Sequence, residues 1–309
     1  MTQSTHVKTT SIIARALTLL ALIAVVSVLA GCGSDKNDGG STGTASTTVQ
    51  KDDAAAAKVP AAIAKDGTLT VAMDASYPPN EFFDKDGKTI IGMDADLANA
   101  LAQTLGLKAE LKNVTFDAIL PGLAAGKYDI AMSSFTDTKE REKTVDMVTY
   151  LNAGTKFYTS ADNPTDISGL DDLCGLTVAV EKGTTQADDA NAQSKKCTSA
   201  GKKKVTVDVF PDQNGANLAL TSGRAQIGMA DSPVAAYIIK QSDGKLQQTG
   251  VDYGEAPYGI AVNKDSGLTP AIQAGMQSLM DSGKYKEILT KWNLADEGID
   301  TAKVNDGIE

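Results

Sequence analysis

Two stretches of this chain repeat each other in the same order, and that repeat limits the architectures open to it. Leu123-Ala-Ala-Gly126-Lys127-Tyr128-Asp129-Ile130-Ala131-Met132-Ser133-Ser134 aligns with Leu220-Thr-Ser-Gly223-Arg224-Ala225-Gln226-Ile227-Gly228-Met229-Ala230-Asp231. Earlier in each half, Val71-Ala72-Met73-Asp74 aligns with Val178-Ala179-Val180-Glu181. Each half therefore has a short apolar strand ending in a carboxylate, then a Gly-basic turn and a second strand ending in polar groups. One such match arises by chance; two in the same order point to two similar α/β lobes. In open α/β sheets, ligands bind beyond the carboxyl ends of the strands. Two facing lobes would bring Asp74, Ser133, Ser134, Glu181 and Asp231 to one cleft.

The surrounding periodicity extends the alternation. Thr68 to Met73 is predicted as a strand. Asp94 to Leu105 is predicted as a helix, with Leu97, Ala98, Leu101 and Leu105 on one face and Gly106 to stop it. Leu107 to Leu111 is a further strand, Thr115 to Ala125 a helix disturbed near Pro121, and Tyr128 to Met132 a strand again. Gly122 to Lys127 has the wrong spacing for a phosphate loop, and no Ser or Thr follows its lysine, so Gly126 reads as a helix stop. Next comes Ser133-Ser134-Phe135-Thr136-Asp137-Thr138-Lys139-Glu140-Arg141, leading into a helical pattern expected from Glu140 to Val148. A strand end that delivers hydroxyls, free N–H groups and one arginine is a seat for a small carboxylate, because a planar guanidinium takes both oxygens at once. The same residue types also build ordinary exposed turns, so this stretch alone leaves both readings open. With Arg141 on one wall and Asp231 on the other, a small zwitterion fits the cleft.

The start of the chain addresses it. Lys8 and Arg15 give a basic beginning to an uncharged run, Ala16 to Ala30, shorter than the ~20 residues that span a bilayer comfortably. Residues 1–31 are read as a signal peptide. Its end, Leu29-Ala30-Gly31-Cys32, resembles the lipobox of bacterial lipoproteins. That resemblance implies cleavage before Cys32, diacylglycerol on its thiol and an acyl chain such as palmitate on the new amino group. Several chains hold a protein to a membrane far better than one. An ordinary signal peptide with a chance cysteine is the alternative. Gly33 to Gln50 is rich in Gly, Ser, Thr and Asp, so residues 32–65 are expected to be a flexible tether, with a short helix in Ala54 to Ala64.

Composition narrows the function. The formal charge of −10 argues against nucleic acid or anionic lipid as partners. The one histidine, His6, leaves with the signal peptide, so the mature chain has no imidazole for a catalytic base or a His-based metal site. Cys174 and Cys197 remain, and an isolated pair in an oxidising compartment forms a disulfide, which removes the thiol nucleophile too. No catalytic residue, cofactor or metal is therefore expected. The lysines around Cys197 (195, 196 and 202–204) are expected to be solvated in a surface loop.

At this point the residues resemble the bacterial extracellular solute-binding proteins, family 3, which deliver polar amino acids to ABC importers. The resemblance covers nearly all of residues 66–294. It rests on Tyr77-Pro78-Pro79-Asn80-Glu81-Phe82, Gly92-Met93-Asp94-Ala95-Asp96-Leu97, Gly126-Lys127-Tyr128-Asp129 and Thr138-Lys139-Glu140-Arg141. It rests further on Val178 to Thr185, Asp231-Ser232-Pro233, and Gly283-Lys284-Tyr285 with Lys291-Trp292. It implies a two-lobed α/β fold of the periplasmic-binding-protein type II (Venus-flytrap) kind, with two hinge crossings. Lobe one would comprise 66–154 and 258–309, and lobe two 155–257. It also implies that Arg141, helped by Thr136 and Thr185, takes the ligand's α-carboxylate. Asp231 would hold the α-ammonium, with Ser134 as a further acceptor and Ser133 beside it. Tyr77 and Phe116 would sandwich the side chain, with Asp74 and Glu181 deciding selectivity. Asn80 stands where the family usually has Phe, which puts the apolar wall there in question.

The expectation is a monomeric, lipid-anchored extracytoplasmic binding protein that hands an amino acid to a permease. Two rivals stand beside it. A dehydratase acting on prephenate-like acids shares this fold but needs a general acid or base. A receptor's sensory domain needs a membrane span, which the sequence after residue 31 does not supply. The ligand follows from charge. Arg141 and Asp231 are matched by a zwitterion's own charges, while Asp74 and Glu181 have no cation assigned, so a basic amino acid is favoured and glutamine comes next.

Overall fold

A computed structural model of the chain describes residues 49–308; Cys32 and the signal segment lie outside the described residues, as does most of the expected tether. The expected tether is corrected at its end. Helices α1 (Asp53–Ala56) and α2 (Ala61–Asp66) precede the first strand. Asp52 caps α1 by accepting from the Ala54 and Ala55 N–H groups, and its own N–H donates to the Thr104 carbonyl. Ala55 and Val59 are buried in the main core. The short helix expected in Ala54 to Ala64 is present as α1 and α2, parted before Pro60.

The first half then runs β1 (Thr68–Met73), β2 (Ser76–Tyr77), β3 (Glu81–Phe83), β4 (Ile90–Ile91), α3 (Met93–Thr104), β5 (Lys108–Asn113), α4 (Phe116–Ala124) and β6 (Ile130–Ala131). A 16-residue strand, β7 (Val145–Ser160), leads to β8 (Thr177–Glu181), α5 (Thr185–Ser199), β9 (Thr206–Phe210), α6 (Gln213–Thr221), β10 (Ile227–Asp231) and α7 (Ser232–Gln241). An 18-residue strand, β11 (Leu246–Asn263), returns to α8 (Thr269–Asp281) and α9 (Lys284–Lys291). Strands β2, β3 and β4 form a small sheet, and the large one has the order β5-β1-β6-β11-β7-β10-β8-β9.

The sequence repeat becomes a structural one with the same register. Val71 pairs with Ile130 in β1 and β6, and its counterpart Val178 pairs with Ile227 in β8 and β10, both in parallel. Parity repeats as well, since alternate side chains of a strand face opposite sides of the sheet. Val71, Met73, Ile130 and Met132 enter the core with α3, while Ala72 and Ala131 face α4. Val178, Val180, Ile227 and Met229 likewise face α5, while Ala179 and Ala230 face α6 and α7. Gly126 and Gly223 occupy left-handed backbone (φ 69° and 71°) where α4 and α6 end, which suits glycine and ends both helices at equivalent points.

The two lobes are joined by β7 and β11, which pair antiparallel and cross together. Their register shifts between Thr249 and Tyr253, between Tyr253 and Ala256, and between Tyr258 and Gly259. The expected helix from Glu140 to Val148 is absent. One 3-10 turn, Arg141–Lys143, gives way to β7 at Val145, because Thr144, Val145, Val148 and Thr149 favour the extended strand. Cys197 is also not in a loop. It is buried in the last turns of α5, joined to Cys174, with Lys195 and Lys196 exposed beside it.

The disulfide closes a span of 23 residues. Cys174→Ser with Cys197→Ser should lower the unfolding free energy by about 3 kcal/mol, read by urea titration of the double variant against the parent. A loss below about 1 kcal/mol would show that α5 is held by packing alone.

Candidate functional site

The carboxyl ends of β1, β6, β8 and β10 converge on a small cavity. It is lined by Asp74, Tyr77, Phe116, Ser133, Ser134, Thr136, Arg141, Glu181, Thr185 and Asp231, together with Glu81, Thr184 and Gln186. All ten ligand-contact residues expected from the sequence are thus in one place. The last three were missed. Glu81 lies in the quoted Tyr-Pro-Pro-Asn-Glu run, and Thr184 and Gln186 flank Thr185 at the start of α5, so the signal was present without a role attached to it.

The basic end is built around Arg141. Its Nη1 donates to the Thr136 carbonyl at 2.8 Å and its Nη2 to the Gly183 carbonyl at 3.1 Å. The guanidinium lies over Phe135 and Phe116, at 5.1 and 5.6 Å from the ring centroids, and those rings stack on each other at 4.4 Å. Burial pulls the guanidinium down to about 10, opposed by Asp231, so it stays charged at neutral pH. Helix α5 starts beside it. The Thr184 side chain accepts from the Ala187 N–H, and Thr185 opens the helix, whose N-terminal dipole favours an anion.

The acidic residues differ in how far they are satisfied. Asp231 precedes α7 but does not cap it with its side chain; its Oδ1 instead accepts from Gln186 Nε2 at 2.8 Å. Burial pushes its carboxyl up to about 6, against these hydrogen bonds and the Arg141 charge. Asp74 Oδ2 accepts from the Phe116 N–H at 2.8 Å, so this carboxylate also caps α4. Burial raises its pKa above the ordinary carboxylate value. Glu181 is the extreme case. Its Oε1 is buried with no hydrogen-bond partner, and burial, followed by the charges of Asp74, Asp212 and Asp231, pushes it up to about 9. Among the described residues, no ion pair reaches Asp74 or Glu181. Lys182, next to Glu181 in the chain, pairs with Asp117 at 2.8 Å instead.

Behind the cavity lies a second polar layer. Ser133 Oγ accepts from the Asp74 N–H and donates to Glu81 Oε1 at 2.8 Å. Ser134 sits in left-handed backbone (φ 52°), and its N–H donates to Asp94 Oδ2. Its hydroxyl accepts from Asn80 Nδ2 at 2.8 Å and donates to Glu81 Oε2 at 3.3 Å, which leaves one lone pair for a further donor. Asn80 therefore does not line the cavity; it supports Ser134. Burial and then the Asp94 charge push Glu81 well above the ordinary carboxylate range, and burial pushes Asp94 up to about 6.

The lobes meet around the cavity. Tyr77 Oη accepts from the Asp231 N–H at 3.0 Å, Ser76 Oγ from the Gln213 N–H at 3.3 Å, and Phe82 touches Tyr237 with ring centroids 6.2 Å apart.

Comparison with known proteins follows the same outline. The model of the bacterial extracellular solute-binding proteins, family 3, matches residues 69–295. The arginine-binding protein ArgT of Corynebacterium glutamicum is 38% identical over 251 residues, covering 81% of this chain and 82% of its own length. A solved structure of an ancestral arginine-binding protein bound to arginine is 36% identical with a TM-score of 0.67, over 73% of this chain and 98% of that one. An ancestral amino acid-binding protein described as a precursor of cyclohexadienyl dehydratase is also 36% identical, with a TM-score of 0.67, over 75% and 97%.

A carboxyl whose folded-state pKa lies above its unfolded value keeps a proton that the unfolded chain releases. Stability then falls as pH rises between the two values, here from the ordinary Glu range near ~4.5 toward about 9 for Glu181. Glu181→Gln removes that contribution. In urea titrations at pH ~5 and ~8, the wild-type protein should lose more stability than the variant across the interval. Parallel losses would mean that Glu181 is hydrated in solution.

Proposed function

We propose a function from a premise the comparisons establish: this chain belongs to the bacterial extracellular solute-binding proteins, family 3. It is a binding protein, not an enzyme, as are the curated relatives it matches. Its ligand is a basic amino acid, arginine or lysine, with glutamine second. The observation that carries this reading is the pair Asp74 and Glu181, reached by no ion pair among the described residues, in a cavity where Arg141 and Asp231 are satisfied by any α-amino acid and Glu81 is bonded to Ser133 and Ser134. In that pose Arg141, Thr136, Thr185 and the start of α5 hold the α-carboxylate, and Asp231 holds the ammonium. Tyr77 and Phe116 flank the side chain, and a guanidinium between aromatic faces gains cation–π attraction. Its charge then relieves the repulsion between two desolvated carboxylates. The name of the corynebacterial relative agrees with this ligand. Glutamine is the second reading because Asp74 already has a donor in the Phe116 N–H, which lessens its need for a cation.

The protein is proposed to act outside the cytoplasm, as a monomer, handing its ligand to an ABC importer. Lobe one comprises 66–154 and 258–309, and lobe two 155–257. These limits fall near the register breaks of β7 and β11, the places best able to bend. Removal of residues 1–31 and acylation of Cys32 anchor the protein to the membrane. Cys32→Ser should release it into the soluble fraction or leave the precursor unprocessed; equal membrane retention overturns the anchor.

Calorimetry tests the ligand. Glutamine leaves Glu181 facing no cation, so its binding should be accompanied by uptake of up to about one proton more than arginine binding. The ratio of arginine to glutamine affinity should therefore rise with pH between ~5 and ~8. At pH ~8, Glu181→Gln should weaken arginine and tighten glutamine, since glutamine then binds without proton uptake. Arg141→Ala and Arg141→Lys should each weaken either ligand at least about thirtyfold, since a point ammonium cannot replace the guanidinium fork. Tighter glutamine binding at every pH refutes the charge argument, and full affinity in Arg141→Lys removes the carboxylate clamp.

A further inference from the structure

Residues 302–308 lie far from Arg141 in sequence, yet they hold the segment that carries it. That segment, residues 135–139, runs as a middle strand between two neighbours. On one side is β11: the Gly259 N–H donates to the Phe135 carbonyl, the Asp137 N–H donates to the Pro257 carbonyl, and Thr136 bridges Tyr258. On the other is the tail. Ile308 N–H donates to the Asp137 carbonyl at 3.1 Å, Lys139 N–H donates to the Ile308 carbonyl at 2.8 Å, and Thr138 bridges Ile308 in parallel. Side chains strengthen this dock. Asp137 Oδ2 accepts from the Asp306 N–H at 3.1 Å, and Glu142 Oε1 from the Gly307 N–H at 2.9 Å. Asp137 is fully buried with the tail in place.

The tail is itself fixed to β7. Asn305 Oδ1 accepts from the Met147 N–H at 2.9 Å, its Nδ2 donates to Asp146, and Val304 bridges Val148. From the held segment, the path to the clamp is short. The Thr138 hydroxyl accepts from the Arg141 N–H at 3.2 Å, the Thr136 carbonyl accepts from Nη1, and Phe135 lies under the guanidinium. Ile308 and Arg141 also line one common cavity beside the ligand site.

We infer that residues 302–308 are a positioning strap for the carboxylate clamp: by pairing with residues 137–139 they set where Thr136 and the Arg141 guanidinium stand. None of the strap residues lines the proposed ligand cavity, so the effect on ligand runs through Arg141. This inference rests on the ligand pose proposed above.

Two variants loosen the strap by different routes. A Cβ on Gly307 would lie 2.5 Å from Asp137 Oδ1 and 2.7 Å from Asp137 backbone, so Gly307→Ala cannot dock unchanged. Asn305→Gly keeps the left-handed backbone (φ 56°) and removes the side-chain anchors to β7. Each is titrated with L-arginine and with L-argininamide, which has no carboxylate for Arg141 to hold, and exchange of the Lys139 amide hydrogen is followed in parallel. Faster Lys139 exchange is expected in both variants, with about tenfold weaker arginine binding and less than about threefold change for argininamide. Unchanged arginine affinity despite faster exchange overturns the inference. So do equal losses for the two ligands, which would mark a general effect on the fold, and unchanged exchange in both variants. If the wild-type protein binds no amino acid, the preceding proposal fails instead, and the exchange measurement alone decides whether the strap holds the segment.

Discussion

The antiparallel pairing of β7 with β11 is the constraint on which the rest depends. Each strand gives its two ends to different lobes, so one ladder joins both halves of the large sheet. Because the pairing is antiparallel and the lobes are built alike, the carboxyl ends of β1, β6, β8 and β10 all face the same space. A continuous ladder through both lobes would be stiff. Register shifts around Tyr253 and Ala256 interrupt it at the crossing. Covalent continuity is thus kept at the crossing while the hydrogen-bond ladder is relaxed there.

Charge follows from that geometry. Each lobe ends a central strand in a carboxylate, Asp74 in one and Glu181 in the other, and closing the lobes desolvates both. The nearby lysine, Lys182, is spent on Asp117 across the lobe boundary. Arg141 is held by two backbone carbonyls and two stacked rings, which orient its fork but do not neutralise it. The site is therefore incomplete in charge at one end and pre-oriented at the other. The proposed ligand would bring a carboxylate to one end and a cation to the other.

Much of the site was legible because its residues sit at strand ends, and strand ends are marked by short apolar runs giving way to polar residues. Glu81 was not, although its motif was visible. Its role comes from the turn that brings β3 beneath Ser133 and Ser134, and no periodicity reports such a contact. The stretch Glu140 to Val148 misled in the other direction. Its spacing of charged and apolar residues matches a helix, but β-branched side chains and the waiting edge of β11 make it a strand. Asn80 was flagged as a gap in the ligand wall and proved to be a support one layer back.

By itself, the sequence determined two α/β halves of matching register, because strand length, alternation and helix stops are local properties repeated at a fixed order. It also determined which carboxylates lie at strand ends, since each is adjacent in the chain to the strand it terminates. Only the tertiary structure decided that Lys182 turns to Asp117, that Glu181 Oε1 has no hydrogen-bond partner among the described residues, and that residues 302–308 return to hold the segment before Arg141. These are choices among partners remote in sequence. They depend on which groups remain unsatisfied once both lobes have packed, and that is settled by the whole chain at once.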